Sequence, residues 1–457
     1  MQKEVKKSWA LFMGIGVMMI AHGLQMQLMG IRSVLEGFSV LTTGIFMSGY
    51  YVGYFIGSKT TPNFVSKVGH IRVFAAFASL ASLSALIAVV YVNPIMWTVS
   101  RFVTGISLVS CYVVTESWLN DRATNKNRGQ LLSAYFIILY IGLAIGMLLL
   151  NISDPKNYEP FILVSVLLSL ALVPILLTKR SAPKFKKIGT ISIKELYEIS
   201  PLGTVSSFCT GLIHSAFFSL MAVYATKANF TLLETSILLF ISTMAGVIFQ
   251  GPIGYLSDKF DRRKSIVAVT FLGAFFSFFA IIFSGSSLVN MYLSIELPIN
   301  KVLFFLAVGF YAGLCLPLFS LNLAHTNDFV PKEKFVAAGG GLQLIFGIGA
   351  ISGPIICSLF MEWFNMNGFF IFLIIMHIVI GTFGVYRMNV RQVADNPDST
   401  FTPIPATITP AGLELDPTAE YIEEPYTEKV KKMLDRKGVV YKKEEKKIEQ
   451  SIDRKTE

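Results

Sequence analysis

The sequence predicts an all-α membrane protein whose twelve transmembrane helices form two pseudo-symmetric halves of six. Three observations carry that reading. Of 457 residues, 53% are hydrophobic and only 15% are charged, against about 25% charged in ordinary soluble domains. Apolar runs near the roughly 20 residues that a bilayer core requires recur twelve times along the chain. Lys and Arg are confined almost entirely to alternate loops between those runs. A soluble chain of this composition would expose large apolar patches, so a cytosolic enzyme, a nucleic-acid binder and a disordered scaffold are poor fits.

The runs fall, in order, at 9–31, 40–57, 73–92, 95–117, 130–150, 160–178, 202–226, 233–253, 265–285, 301–323, 336–360 and 368–387. The first follows Lys3, Lys6 and Lys7 as a signal peptide would. It is too long for one, lacks a clear cleavage site and precedes eleven further runs, so it reads as a retained helix. Gly and Pro inside several runs are tolerated where helices pack on helices. With the N-terminus placed in the cytoplasm, 22 Lys and Arg fall in inside segments and four (Arg32, Lys156, Lys227 and Lys301) fall outside. The positive-inside rule then places both termini in the cytoplasm.

This order divides the chain into a first half, 1–178, a basic cytoplasmic loop, 179–201, a second half, 202–390, and a charged cytoplasmic tail, 391–457. The loop reads as solvated chain against anionic headgroups. The tail holds 14 acids and 12 bases, which leaves the apolar body at +12. Pro397, Pro403, Pro405, Pro410 and Pro417 break its first part, and the Lys- and Glu-rich stretch 426–449 reads as a charged helix. The whole tail is expected to be solvated.

The halves are related copies. An offset of 192 carries Lys67 onto Lys259, His22 onto His214 and Leu28-Met29 onto Leu220-Met221. An offset of 207 carries Asn120-Asp121 onto Asn327-Asp328, Ile141-Gly142 onto Ile348-Gly349 and Gly146 onto Gly353. Parallel repeats about an axis normal to the membrane form a transporter architecture, with the solute site between them near the midplane.

Midplane histidines are costly to charge and titrate near neutrality, so His22 and His214 suit proton coupling or a hydrogen bond to solute. Gln25 lies one turn on from His22, on the same face. Arg101 is the basic residue placed well inside a run, and its guanidinium can hold a carboxylate at two points. Gln250, Asn322 and Gln343 either orient a solute or bond a neighbouring helix, at about 0.6 kcal/mol each. Apart from Glu234 at the very start of the eighth run, Glu116 is the one acid inside the runs. It lies about 22 Å from Arg101 along the fourth helix, at the cytoplasmic end near Lys67, Arg72 and Arg122. An inner-gate salt bridge is therefore expected there rather than a proton site. Asp258, Lys259, Arg262 and Arg263, after the eighth run, are expected to hold the two halves together on the inside. Gly339-Gly340-Gly341, Gly347, Gly349 and Gly353 suit close packing and bending of the eleventh run.

Cys111, Cys209, Cys315 and Cys357 sit in apolar runs and read as small core hydrophobes, and the five histidines lack metal-ligand spacing. With no HExxH, GxSxG or Walker A pattern, the sequence predicts no enzyme, metal or cofactor, and any driving force is an ion gradient or the solute's own.

The segment Gly254-x-x-x-Asp258-Lys259-x-x-Arg262-Arg263 resembles the cytoplasmic signature of the major facilitator superfamily, with Asp261 in place of the usual glycine. The first-half copy is degenerate: Pro62 stands for the first glycine and Ser66 for the Asp, while Lys67 and Gly69 are kept. Arg101-Phe-Val-Thr-Gly105 resembles that superfamily's helix-four arginine signature. The resemblance spans residues 8–390. Val68-Gly-His-Ile-Arg72, Glu116-Ser-Trp-Leu-Asn-Asp-Arg122, Asn127-Arg-Gly129, Ala324-His-Thr-Asn-Asp328 and Leu415-Asp-Pro417 are similar to a bacterial YcaD-like subgroup. The helix-five Gly-Pro pair of drug/proton antiporters is missing from Ile141-Gly-Leu-Ala-Ile-Gly146, although Ser352-Gly353-Pro354 occurs in the eleventh run.

The resemblance implies a monomeric secondary transporter of the bacterial inner (plasma) membrane. It would work by alternating access, with a small solute, protons and the lipid bilayer as partners and no nucleic acid. The rival readings are a drug-efflux antiporter, a membrane-embedded enzyme or lipid flippase, and a non-transporting sensor of the same fold.

Overall fold

The computed structural model describes residues 8–124, 126–177, 191–284, 298–390 and 400–418. Most of the basic central stretch and the Lys- and Glu-rich stretch 426–449 lie outside these residues. Twelve long helices organise the described chain: α1 (Trp9–Leu35), α2 (Val40–Val68), α3 (His70–Val90), α4 (Pro94–Arg122), α5 (Arg128–Leu148), α6 (Glu159–Leu176), α7 (Pro201–Lys227), α8 (Leu232–Lys259), α9 (Arg262–Phe283), α10 in two segments (Pro298–Cys315 and Leu318–Asn327), α11 (Phe335–Trp363) and α12 (Gly368–Val390).

Short polar loops set the helix starts. Ser39 caps α2 through the amide of Thr42. Asn93 caps α4, with Pro94 at the first helical position. Thr231 and Glu234 form a reciprocal capping box on α8. Such caps satisfy amides that a helix start leaves without partners. Asp261, at the position where the superfamily signature has glycine, caps α9 by accepting from the amide of Arg263.

Eleven of the described helices are long and apolar enough to cross a bilayer. The exception is α2. Its 29 residues would span about 43 Å at 1.5 Å per residue, but Thr, Ser, Gly, Tyr and Lys dilute its hydropathy. It also runs eleven residues past the boundary expected at residue 57, carrying Pro62 inside it. The tenth run is broken between Cys315 and Leu318, where Pro317 lacks the amide that a continuous helix needs.

The internal repeat is visible in the packing. A Cβ on Gly142 of α5 would lie 2.8 Å from the carbonyl of Gly16 on α1, and Gly146 sits against that of Ile20. In the second half Gly349 of α11 sits against the carbonyl of Phe208 on α7, and Gly353 against that of Leu212. Both members of each contact are related by the sequence offsets. A Cβ at any of the four would collide with backbone, so the same close helix crossing is built twice.

At one end the halves touch directly. Gly44 of α2 packs so close to α11 that a Cβ on it would lie 2.6 Å from the carbonyl of Pro354, the Leu41 amide donates to Glu362 at 3.2 Å, and Asn151 donates to Ser236 at 2.7 Å. At the opposite end, where α2 meets α3 and α8 meets α9, the halves part into a cleft. Residues 400–418 occupy it. Ile404, Ala406, Ile408, Leu413 and Leu415 are buried there, and Pro410–Leu413 forms one helical turn. This corrects the expectation of a fully solvated tail: an alternation of apolar and small residues between the prolines packs into the cleft.

Candidate functional site: a chamber between the halves

α1 and α7 are buried on nearly every side, so their polar side chains face protein rather than lipid. His22 and His214 line one chamber of about 80 Å³, with Met26, Tyr51, Tyr140 and Phe218 among its walls. Toward the cleft, a larger cavity of about 590 Å³ lies between α2, α11 and residues 406–411. Tyr50, Tyr51, Phe346, Ala406 and Thr407 line both spaces, so they form the partition between them.

Tyr50 is the pivot of the chamber wall. His22 stacks on its ring at 5.2 Å, and the Arg101 guanidinium lies 4.8 Å from its centroid. Gly49, one residue earlier, lets α4 approach: its carbonyl neighbour Thr98 is 2.8 Å from where a Cβ would lie. Arg101 is fully buried, and none of its three guanidinium nitrogens has a hydrogen-bond partner among the described residues. His22 Nδ1 is likewise without one. A desolvated cation over an aromatic face gains about 2 kcal/mol, less than its lost hydration, so the guanidinium stays attractive to an anion. His214 differs: its Nε2 lies 3.0 Å from the carbonyl of Cys315, beside the break in α10.

The other candidates divide. Gln343 lines the larger cavity and donates to the carbonyl of Ala406 at 2.8 Å. Gln25 donates to Thr104 at 3.4 Å and Asn322 to Thr210 at 3.2 Å, so both bond neighbouring helices. Gln250 is buried with its carbonyl oxygen unpartnered among the described residues.

The gate residues depart from expectation. Glu116 is fully buried. It accepts from the Tyr135 hydroxyl at 2.9 Å, from the Thr409 amide at 3.0 Å and from the Thr409 hydroxyl. Donors from α5 and the tail thus hold it, in place of the expected lysine or arginine partners. Lys67 and Arg72 are exposed. Arg262 pairs with Asp258 at 2.6 Å and with Asp328, so these ion pairs brace α8, α9 and α10 within one half, and the signature's link toward the other half runs through the tail, whose Phe401 amide donates to Asp258 at 2.9 Å. Arg263 pairs with Asp261 at 2.8 Å. Burial works to raise the Asp261 carboxyl, but the hydrogen bonds and charge of Arg263 outweigh it, and the net shift is downward. Lys259 lies 5.9 Å from the Tyr255 ring.

Sequence reasoning missed Tyr50, Tyr51 and Tyr54. Three phenols within five residues of an apolar run, two of them one helical turn apart, were the available signal. It also missed Ala406 and Thr407, because composition alone assigned the tail to solvent.

Two bundles of related sequence around a shared chamber define a membrane transporter. The chain matches the Major Facilitator Superfamily over residues 9–318 and 203–421, and it belongs to that family. It is therefore a multi-pass inner-membrane protein. It is 24% identical over 331 residues to the uncharacterized MFS-type transporter YcaD of Escherichia fergusonii, covering 72% of this chain and 82% of that one. YcaD of Escherichia coli O6:K15:H31 is 24% identical over 339 residues, 74% of this chain and 84% of that one. Among solved structures, a variant of the nucleoside transporter NupG superposes with a TM-score of 0.68 at 13% identity, covering 83% of this chain and 99% of that one. A bacterial homolog of the human lysosomal transporter Spinster, inward-facing and occupied, superposes at 0.65 with 12% identity, covering 86% and 98%.

Proposed function

We propose that this protein is a proton-coupled secondary transporter that moves a small amphipathic solute by alternating access. The observation that carries the reading is the chamber whose walls include His22 and His214, equivalent positions of the two repeats. α2 counts as the twelfth span, since a helix lining the solute path is expected to be less apolar than one facing lipid. The Lys- and Arg-rich loops assign the cleft end to the cytoplasm, so the geometry supports an inward-facing arrangement closed at the outer end.

The chamber walls are aromatic and thioether side chains with a few polar groups, the usual make-up of a small-molecule site. Arg101 lines neither space, but its unpartnered guanidinium lies directly behind the Tyr50 wall, and this favours a solute that carries an acidic group on an apolar body. His22 and His214 are the groups that exchange protons with it. Binding must differ between the inward and outward states, because a solute of equal affinity for both shifts nothing.

Uptake into vesicles is the direct test, with sugars, organic acids, amino acids, nucleosides and cationic dyes compared with and without a pH gradient. The expected outcome is gradient-dependent accumulation of an organic acid, lost in His22→Ala. Accumulation indifferent to the gradient overturns proton coupling. Export of a cationic dye instead would establish a drug antiporter.

A further inference from the structure

Residues 400–418 make polar contacts with both halves at once. On the first-half side, Glu116 of α4 holds Thr409, Tyr54 of α2 donates to the Thr407 carbonyl, and Arg128 of α5 donates to the Pro417 carbonyl at 3.1 Å. On the second-half side, Ser320 of α10 accepts from the Ile404 amide at 3.1 Å, and Asp258 of α8 accepts from the Phe401 amide at 2.9 Å. The segment thus bridges two bodies that alternating access requires to move against each other. Ala406 and Thr407 at its centre also belong to the partition between the chamber and the larger cavity.

We propose that residues 400–418 are an intrachain plug, which seals the chamber from the cleft and pins the two halves until it is withdrawn. Three features fit a part that leaves. Its hold is polar and apolar contact, with no covalent link. Nine residues lie between Val390 and Thr400, a contour length of at most about 30 Å. Its anchors are cut to fit: Pro417 lies 3.4 Å from the Cβ position of Gly129, and Gly412 sits so close to Glu116 that a Cβ there would be 2.6 Å from the carboxyl carbon. The short phrase Leu415-Asp416-Pro417 is therefore the foot of the plug. Leu415 is buried, and Asp416 accepts from the Thr418 amide at 2.9 Å and from the Thr402 hydroxyl at 3.3 Å.

The consequence for transport rests on the transporter reading, but the test needs no solute, so the two fail separately. The full-length chain carries Ser215→Cys, a position lining the chamber, and is exposed to a small maleimide in inside-out vesicles. The four native cysteines are buried and give the background. With the plug seated, labelling stays near background. Gly412→Val in the same chain, which overpacks the Glu116 contact, raises the rate roughly tenfold or more, because labelling follows the open population. Leu415→Asp does the same from the foot and serves if the first variant does not fold.

Seating is checked independently by Gly340→Cys with Pro410→Cys. Their Cβ positions lie 3.8 Å apart, the separation that a disulfide requires, so mild oxidation of the membranes forms the bond. Equal labelling of Ser215→Cys with and without the displacing substitution overturns the plug. Failure of the disulfide to form in folded protein overturns it as well.

Discussion

Arg101 is the most informative single residue, because it is buried without a hydrogen-bond partner among the described residues. Replacing a buried, poorly compensated ion by an apolar residue of similar length is often neutral or stabilising. Arg101→Met in solute-free protein is therefore expected to hold or raise Tm while losing the stabilisation that an acidic solute gives the wild type. A drop in Tm of many degrees would mean that the guanidinium supports the fold instead.

Asp416 makes a second residue-level prediction. Burial pushes its carboxyl up, opposed by hydrogen bonds from Thr418 and Thr402 and the charge of Arg128. A carboxyl raised on folding contributes most below its unfolded value of about 3.9, and that contribution fades as pH rises through the folded value. The Tm advantage of wild type over Asp416→Asn should accordingly shrink from acidic to neutral pH. An advantage that grows with pH would reverse the assigned direction.

Among the elements, the paired glycine crossings of α1 with α5 and of α7 with α11 are the structural form of the repeat. Gly146→Val and Gly353→Val each force a Cβ into a backbone carbonyl. Overpacking of this kind costs roughly 1–3 kcal/mol, so both variants should lose several degrees of Tm by a similar amount. A large loss at one site with none at the other would break the equivalence of the halves.

The same elements show what could be read in advance. Run length gave the helices to within a few residues at most ends, because bilayer thickness sets it. It failed for the inner end of α2, where the helix continues past Lys59 and through Pro62, for the inner end of α8, which continues to Lys259, and at Pro317. Several motif phrases prove to be contact partners. His70 lies 2.9 Å from the Ser117 hydroxyl and stacks on Trp118 at 5.9 Å, while Gly129 receives Pro417. The family resemblance singled out these residues, but long-range pairing is not encoded in local pattern. Glu116 was misassigned for the same reason: its partner Thr409 lies 293 positions away.

For the molecule as a whole, two related bundles meet directly at one end and through a tail segment at the other, with the histidine chamber between them. The chamber's symmetry was legible from the offset of His22 and His214. The aromatic partition and the tail's share in it were not, since proline spacing and charge describe a solvated chain until a cleft of matching shape is known. A solute held in this chamber touches both bundles, so its binding stabilises the folded protein by mass action. The deciding measurement is a thermal-shift screen of the same solute panel on wild type, His22→Ala and His214→Ala. The account predicts that a solute which raises the wild-type Tm loses most of that shift in both variants, because both imidazoles face one chamber; a full wild-type shift in both would contradict it.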